Sequence, residues 1–428
     1  MGDASIQAAM IQGIRKRIPE VNIIGITLNP GDTASRHGIP TFGLHHYSPE
    51  TDGFPDVDPD ASEKNEQVPS GKGEKTVNQT HDGRQSGFAR NLDVLARSVL
   101  RLLWHARQEY LHILSARKIL EKVDMLVVSG GGQIDDSWGG TWAHPYALWK
   151  WTLLARMCGA RVLFVSVGAG PLHSPISRLF VRGAIRRSEY VSYRDEYSKI
   201  FMEGVNSKKN SFVAPDLAHS LRVKCLVPPY EYQGRSRVVG IGPIPYCDPD
   251  SWPEKDEIEN KKYVRKLVEL SKELLQKGYA VEFISCEINM DRKTIRRIME
   301  LLGLHEGNQD KRVSFPVITT HEELIEVLHG VDIVITSRFH GVLLALLLKK
   351  PVIGLSYHRK IDELLIDAGC RENIFDIKTF TVPSLLGALE HLMDNIPAEG
   401  SKIAKRESEF LVALEKQYDK LFGTVTNR

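Results

Sequence analysis

No sign of charge dominates this chain. Its 428 residues carry 56 Lys and Arg against 54 Asp and Glu, a formal +2. A nucleic-acid-binding domain normally shows a strong basic excess, so no nucleic-acid partner is expected. Cysteine is scarce: Cys158, Cys225, Cys247, Cys286 and Cys370 are scattered, and none belongs to a Cys-x-x-Cys pair. That argues against zinc spacings and a disulfide framework, and it leaves buried thiols in a reducing compartment. No metal is expected. Long apolar runs are also missing. The most apolar stretch, Trp151 to Gly170, is broken by Arg156 and Arg161 and reads as buried helix then strand, not a membrane span. No signal peptide opens the chain, because Met1-Gly2-Asp3 leads straight into a helical pattern. A cytoplasmic location is therefore expected.

The length suits two α/β domains of about 200 residues each. Ile6, Ala9, Met10 and Ile14 recur at helical spacing before Pro19, and residues 21–28 are strand-like. A doubly wound domain begins with a strand, so the first strand is expected to be missing. Over residues 48–87 Glu50, Asp52, Asp56, Asp58, Asp60, Glu63 and Glu66 face a single Lys64, with too few apolar groups for a core. This segment reads as a mobile insertion. Its Asp-x-Asp-x-Asp run at residues 56–60 lacks the Gly and Glu of a calcium loop, since Ala61 and Gln67 stand there.

Beyond it, apolar runs at residues 125–129, 162–167, 190–193 and 211–213 alternate with helical patterns, the first interval filled by a Trp-rich helix over 146–157. Pro228-Pro229 to Gly234 reads as a connection, and strand and helix patterns resume from Val238 to Leu355. Alternation of this kind means parallel sheets covered on both faces. The expected architecture is α/β: two Rossmann-like domains, residues 1–228 and 235–428, facing a cleft. That resembles the GT-B glycosyltransferase plan, which many functions share.

In such sheets ligands sit at the carboxyl ends of strands, so the loops there carry the candidate chemistry. Ser337-Arg338-Phe339-His340-Gly341 follows the strand pattern at 333–336 and opens a helix over 342–349. A helix start favours an anion, Arg adds a bidentate fork, and His adds a proton that titrates near neutrality. The alternative is a surface Arg and a packed His. Lys360 lies one βα unit on, twenty residues after His340; a solvated Lys paired with Asp362 or Glu363 is its alternative. In the first half, Ser129-Gly130-Gly131-Gly132-Gln133 and Gly168-Ala169-Gly170-Pro171 each follow a strand. Glycines let backbone approach a ligand closely, although they also simply make turns. His173 stands where a dinucleotide fingerprint needs its third glycine, which excludes NAD. Arg194 either faces the cleft or pairs with a carboxylate, and Asp195 is placed to cap a helix. Asp135 and Asp136 are read equally as acceptor-orienting groups or as turn and cap residues. His37, His45 and His46 lack a carboxylate partner at any fixed spacing. Two cationic helical stretches, Arg97 to Lys118 and Arg178, Arg182, Arg186, are candidates for peripheral contact with a membrane, ranked below core packing and solvated faces.

Taken together, these pieces resemble the polysaccharide pyruvyl transferase family. The resemblance runs through Gly2-Asp3, Gly130-Gly131-Gly132, Gly168-Ala169-Gly170-Pro171, Arg194-Asp195, Pro215-Asp216-Leu217, Ser337-Arg338-Phe339-His340-Gly341 and Tyr357 with Lys360. The family's first strand and Asn-x-Gly-Asp loop are reduced here to Met1-Gly2-Asp3, and the acidic insertion is not part of its pattern. The resemblance implies phosphoenolpyruvate as co-substrate with no other cofactor, a saccharide acceptor, and a pyruvate ketal as product. It also implies that Arg194, Arg338, His340 and Lys360 contact phosphoenolpyruvate, in a site with Ser337, Gly341, Gly131, Gly132 and Gly168. A cationic His340 is expected to be the acid, with Arg338 beside it. The competing readings are a GT-B nucleotide-sugar glycosyltransferase and a non-catalytic relative.

Overall fold

Short β-branched runs ending in polar or glycine turns form the strands, and amphipathic stretches between them form the helices. The computed structural model describes residues 2–46, 85–137, 139–205, 210–223, 236–287, 289–304 and 310–423, without side chains for some residues early in the third helix. Most of the acidic insertion and the whole 228–234 connection lie outside them. Gln85 to Gly87, read as the end of the insertion, are already helical.

The first half runs α1 (Gly2–Arg17), β1 (Gly25–Thr27), α2 (Pro30–His37), β2 (Thr41–Gly43), α3 (Gln85–Leu120), β3 (Met125–Ser129), α4 (His144–Met157), β4 (Arg161–Val167), α5 (Pro175–Arg187), β5 (Tyr190–Tyr193), α6 (Glu196–Gly204) and β6 (Phe212–Val213). A 3-10 turn, Leu217–Ser220, follows. The second half runs β7 (Val238–Gly242), α7 (Glu257–Gln276), β8 (Ala280–Phe283), α8 (Met290–Leu301), β9 (Val313–Ser314), α9 (His321–Gly330), β10 (Ile333–Thr336), α10 (Phe339–Leu347), β11 (Val352–Ser356), α11 (Arg359–Asp367), β12 (Ile374–Asp376), α12 (Val382–Asp394) and α13 (Ile396–Phe422).

Two parallel sheets result, ordered β3-β4-β5-β6 and β12-β11-β10-β7-β8-β9, as a doubly wound α/β fold requires. β10 is central: Ile335 lies between Ile241 of β7 and Ile353 of β11. The strand order reverses between β7 and β10, which makes the end of β10 the topological switch point of the second sheet.

α1 is not an ordinary helix of the first domain. Ile6, Ala9 and Met10 are buried in one core with Val165 of β4 and with Val334, Phe339 and Val342 of the second half. It also contacts the Leu217–Ser220 turn and α13. α13 in turn reaches back to the first sheet: Gln417 Nε2 donates to Ser166 Oγ at 3.0 Å, and its Oε1 accepts from Ser192 Oγ at 2.7 Å. The seam between the two sheets is thus packed by the first and last helices.

The expected first strand has no counterpart among the described residues. β1 and β2 pair only with each other, and β3 pairs only with β4. A cavity of about 130 Å³ lies between them, lined by Ile26 of β1, Leu126 to Ser129 of β3, Ile6 of α1 and Trp151 of α4. β4, flanked on both sides, is buried from Val162 onward, whereas β3 keeps only Leu126 buried.

Candidate active site

The Ser337–Gly341 loop leaves the switch-point end of β10. α10 starts three residues earlier than predicted, at Phe339: Arg338 is its N-cap residue, and His340 and Gly341 lie in the first turn. Behind them Val342 to Leu346 are all buried, so an apolar rod fixes the loop in place. His340 is half-buried, with its Nε2 shielded from solvent and without a hydrogen-bond partner. Burial lowers its pKa to about 4; Asp3 and Asp216 pull it up, and Arg194 pushes it further down. Burial therefore disfavours the imidazolium at neutral pH, and a nearby anion would favour it. Gly2 packs so tightly on the ring that a Cβ there would overlap Nδ1.

Arg194 arrives from the other sheet, at the end of β5. Its guanidinium lies 4.4 Å from the centre of the Phe339 ring, inside the Ser-Arg-Phe-His-Gly loop. Asp195 (3.3 Å) and Asp216 (3.6 Å) are its carboxylate partners. Asp195 also caps α6 through Ser198 N, as expected. Asp216 is buried, and its Oδ2 makes no hydrogen bond. Gly168 lies under the guanidinium: a Cβ there would stand 2.7 Å from Cζ and Nε. Both alternatives raised for Arg194 hold together, since it faces the seam and is paired.

Arg338 differs from expectation. Its Nε donates to both oxygens of Asp291 (3.1 and 3.2 Å), and Nη2 also binds Oδ1. Asp291 is fully buried, and its Oδ2 also accepts from the backbone of Cys286 and Glu287. Arg338 is thus committed to a buried ion pair, with Nη1 left for other partners. Ser337 is turned inward as well, 3.3 Å from the Tyr263 hydroxyl. Gly341 is required by packing: a Cβ would lie 2.8 Å from Thr336 Oγ1 and 3.1 Å from Cys286 Sγ.

Lys360 has no carboxylate partner among the described residues. Glu363, offered as its alternative partner, binds Arg359 instead. Lys360 Nζ lies 5.6 Å from the Tyr357 ring, and its backbone N–H donates to Nδ1 of His358, the N-cap of α11. Burial lowers the His358 pKa, and among its surrounding charges are Lys360, Asp135 and Arg194.

The glycine loops lie against α1. A Cβ on Gly130 would meet Ile6 at 2.6 Å, and one on Gly131 would meet Asp3 Oδ1 at 3.4 Å; Gly132 has nothing within 4 Å. Gly168 N donates to Gly131 O at 2.7 Å, which zips the two loops together. Asp136 holds the turn before α5: its two oxygens accept from His173 N and Ser174 N, and Ser174 is the N-cap. Asp135 bonds Ser137 N and crowds Gly170. Burial lowers the His144 pKa, while Asp3 and Asp135 raise it.

His46 does have a carboxylate partner, contrary to expectation: Glu109 of α3 at 2.7 Å. Glu109 also accepts from Tyr146 and Lys150, a sequence-distant set that tethers α3 to α4. Among the described residues no group of three or more His, Cys, Asp or Glu is arranged to hold a metal ion, and no helix is long and apolar enough to cross a membrane. Of the described cysteines, Cys247, Cys286 and Cys370 are buried and Cys158 is half-buried.

The two-sheet arrangement has relatives of known structure. The UDP-GlcNAc 2-epimerase of Neisseria meningitidis, solved with UDP-GlcNAc, is 13% identical over 96% of each chain with a TM-score of 0.53. That of Methanocaldococcus jannaschii is 13% identical, covering 89% of this chain and 88% of its own, with a TM-score of 0.52. At such identities the likeness is one of fold, and the fold is GT-B-like. No curated protein matches the chain. The family model for polysaccharide pyruvyl transferase matches residues 1–359, a span that holds Arg194, Arg338 and His340 and stops one residue before Lys360. The chain belongs to the polysaccharide pyruvyl transferase family.

Proposed function

We propose that this protein transfers pyruvate from phosphoenolpyruvate to two hydroxyls of a saccharide, forming a ketal and releasing phosphate. The observation that carries the reading is Arg194 of the first sheet stacked on Phe339 of the switch-point loop, beside His340. A small, multiply charged donor needs cations from both sides of a seam, and Arg194, Lys360, the α10 start and the free edge of Arg338 supply them.

The chemistry follows from the donor. The methylene carbon takes a proton, the adjacent carbon becomes electrophilic, and a sugar hydroxyl adds to it with loss of its own proton. Phosphate then leaves with the C–O bonding pair, and the second hydroxyl closes the ketal as its proton is lost. Of the two hydroxyl protons, one balances the new methyl group and the other the released phosphate. His340 is assigned as the proton donor, its Nε2 being free of any partner among the described residues. Burial lowers its pKa, so the donor's own negative charge, which raises it, brings the proton in on binding. Asp3, Asp135 and His144, exposed or half-buried across the seam, are the groups placed to meet an acceptor hydroxyl.

The test is release of inorganic phosphate from phosphoenolpyruvate with candidate saccharides, and mass spectrometry of the product. Acceptor-dependent phosphate release with a pyruvate-ketal mass increment is the expected result. Turnover of nucleotide sugars with none of phosphoenolpyruvate would overturn the reading.

A further inference from the structure

The charge balance of the whole chain conceals one lopsided layer. α3, α4 and α5 together carry twelve Lys and Arg and two Asp and Glu, in a chain whose totals are 56 and 54. The two acids are Asp93 and Glu109; Glu109 is turned inward with buried Lys150, and Arg117 and Arg156 pair with Glu121 and Glu189 beyond the helices, which leaves Arg107, Arg178 and Arg186 among the exposed cations of the layer. The same layer is unusually apolar outside. Of the twenty-two large apolar side chains exposed among the described residues, ten lie on these three helices, and Trp142, just before α4, makes eleven.

These groups form one surface. α4 contacts both α3 and α5, and the inner faces of all three, through Leu120, Trp151 and Ile185, share a single core with β4. Their outer faces therefore look the same way. On α3 the exposed Leu100, Leu103, Trp104, Leu111 and Leu114 fall on one helical stripe, with exposed Arg107 inside it. On α5 Ile176 (50% exposed) and Leu179 (65% exposed) flank exposed Arg178, with Arg186 two turns on.

We propose that this layer is a docking face for an anionic lipid bilayer. An apolar stripe with interleaved cations and interfacial tryptophans is the pattern of a surface that lies in the headgroup region. Charge decides against a second copy, which would set one cationic layer against another. Trp142 and Ile176 stand at the N-terminal ends of α4 and α5, at the carboxyl edge of the first sheet where Arg194 also lies, so docking would hold that edge near the headgroups. This inference does not depend on which donor the seam binds.

The test is flotation of the purified protein with phosphatidylcholine vesicles, with and without phosphatidylglycerol. One cation near an anionic surface is worth about fivefold in partition, so the anionic vesicles should take up the protein at least about tenfold better. Leu103→Glu with Leu179→Glu, and separately Arg178→Glu with Arg186→Glu, should each remove most of that gain with the melting temperature unchanged. Equal uptake by both vesicle types, or uptake unaffected by the substitutions, would overturn the proposal. So would a concentration-dependent dimer in sedimentation that the same substitutions dissolve, since the face would then belong to a second copy.

Discussion

Gly168 tests whether the seam is organised around Arg194. In Gly168→Ala the new Cβ would lie 2.7 Å from Cζ and Nε and 2.9 Å from Nη2 of that residue, where 3.4–4 Å is ordinary contact. The guanidinium must then retreat by at least about 0.7 Å and leave its stacking position on Phe339. Misplacing a positioned group by about 1 Å can cost roughly 10²-fold in rate. Gly168 has no left-handed φ, so the backbone accepts alanine, and the stability change should stay within about 1 kcal/mol. The assay is kcat/KM for phosphate release, read beside a thermal melt. A loss of ten- to a hundredfold with an unchanged melt is expected. In an Arg194→Ala background the same substitution should cost little more, because both act through one group. Wild-type turnover by Gly168→Ala would refute the role given to Arg194.

Three further outcomes follow from the same geometry. His340→Gln should abolish transfer with only a small change in melting temperature, because the side chain still fills the space against Gly2 and the unpartnered Nε2 contributes no hydrogen bond to the fold; near wild-type turnover would remove His340 as the proton donor. Asp291→Ala should destabilise by about 3–5 kcal/mol in denaturant titrations, since it strands the Arg338 cation at a largely buried site; a loss below about 1 kcal/mol would show that the pair is not structural. Stability should fall as pH drops from 6.5 towards 4. The folded pKa of His340, about 4, is below its usual 6.5, so its contribution is present above 6.5 and lost through that window. Up to about 3 kcal/mol is at stake, and His340→Gln should flatten the slope; an unchanged slope contradicts the assignment.

Much of the frame was legible from the chain. The strands at Met125–Ser129, Tyr190–Tyr193 and Ile333–Thr336 fall where their apolar runs predicted, because each is short, β-branched and bounded by turns. The seam was harder to read. α1 shows ordinary helical periodicity, and nothing in that pattern says that Ile6 would fill the hollow beside Gly130 or that Gly2 would press on His340. Asp291 is the single acid in the first turn of α8, where it reads as a residue facing the helix dipole, and only the fold brings it opposite Arg338. The local signal for Arg338 was its motif, which marks a cation without saying which anion holds it. Asp216 lay inside a quoted tripeptide, yet its burial beside Arg194 is a tertiary fact. The lowered pKa of His340 is a tertiary fact of the same kind, since it comes from burial and sequence does not report burial.

The central claim is that cations from two sheets grip a small anionic donor and charge His340 as they do so. Calorimetric titration of phosphoenolpyruvate near pH 6.5, repeated in buffers of different ionisation enthalpy, measures that directly. Binding with net proton uptake, both weakened in Arg194→Ala and the uptake lost in His340→Ala, is predicted. Absence of phosphoenolpyruvate binding alongside tight binding of a uridine nucleotide would contradict the account.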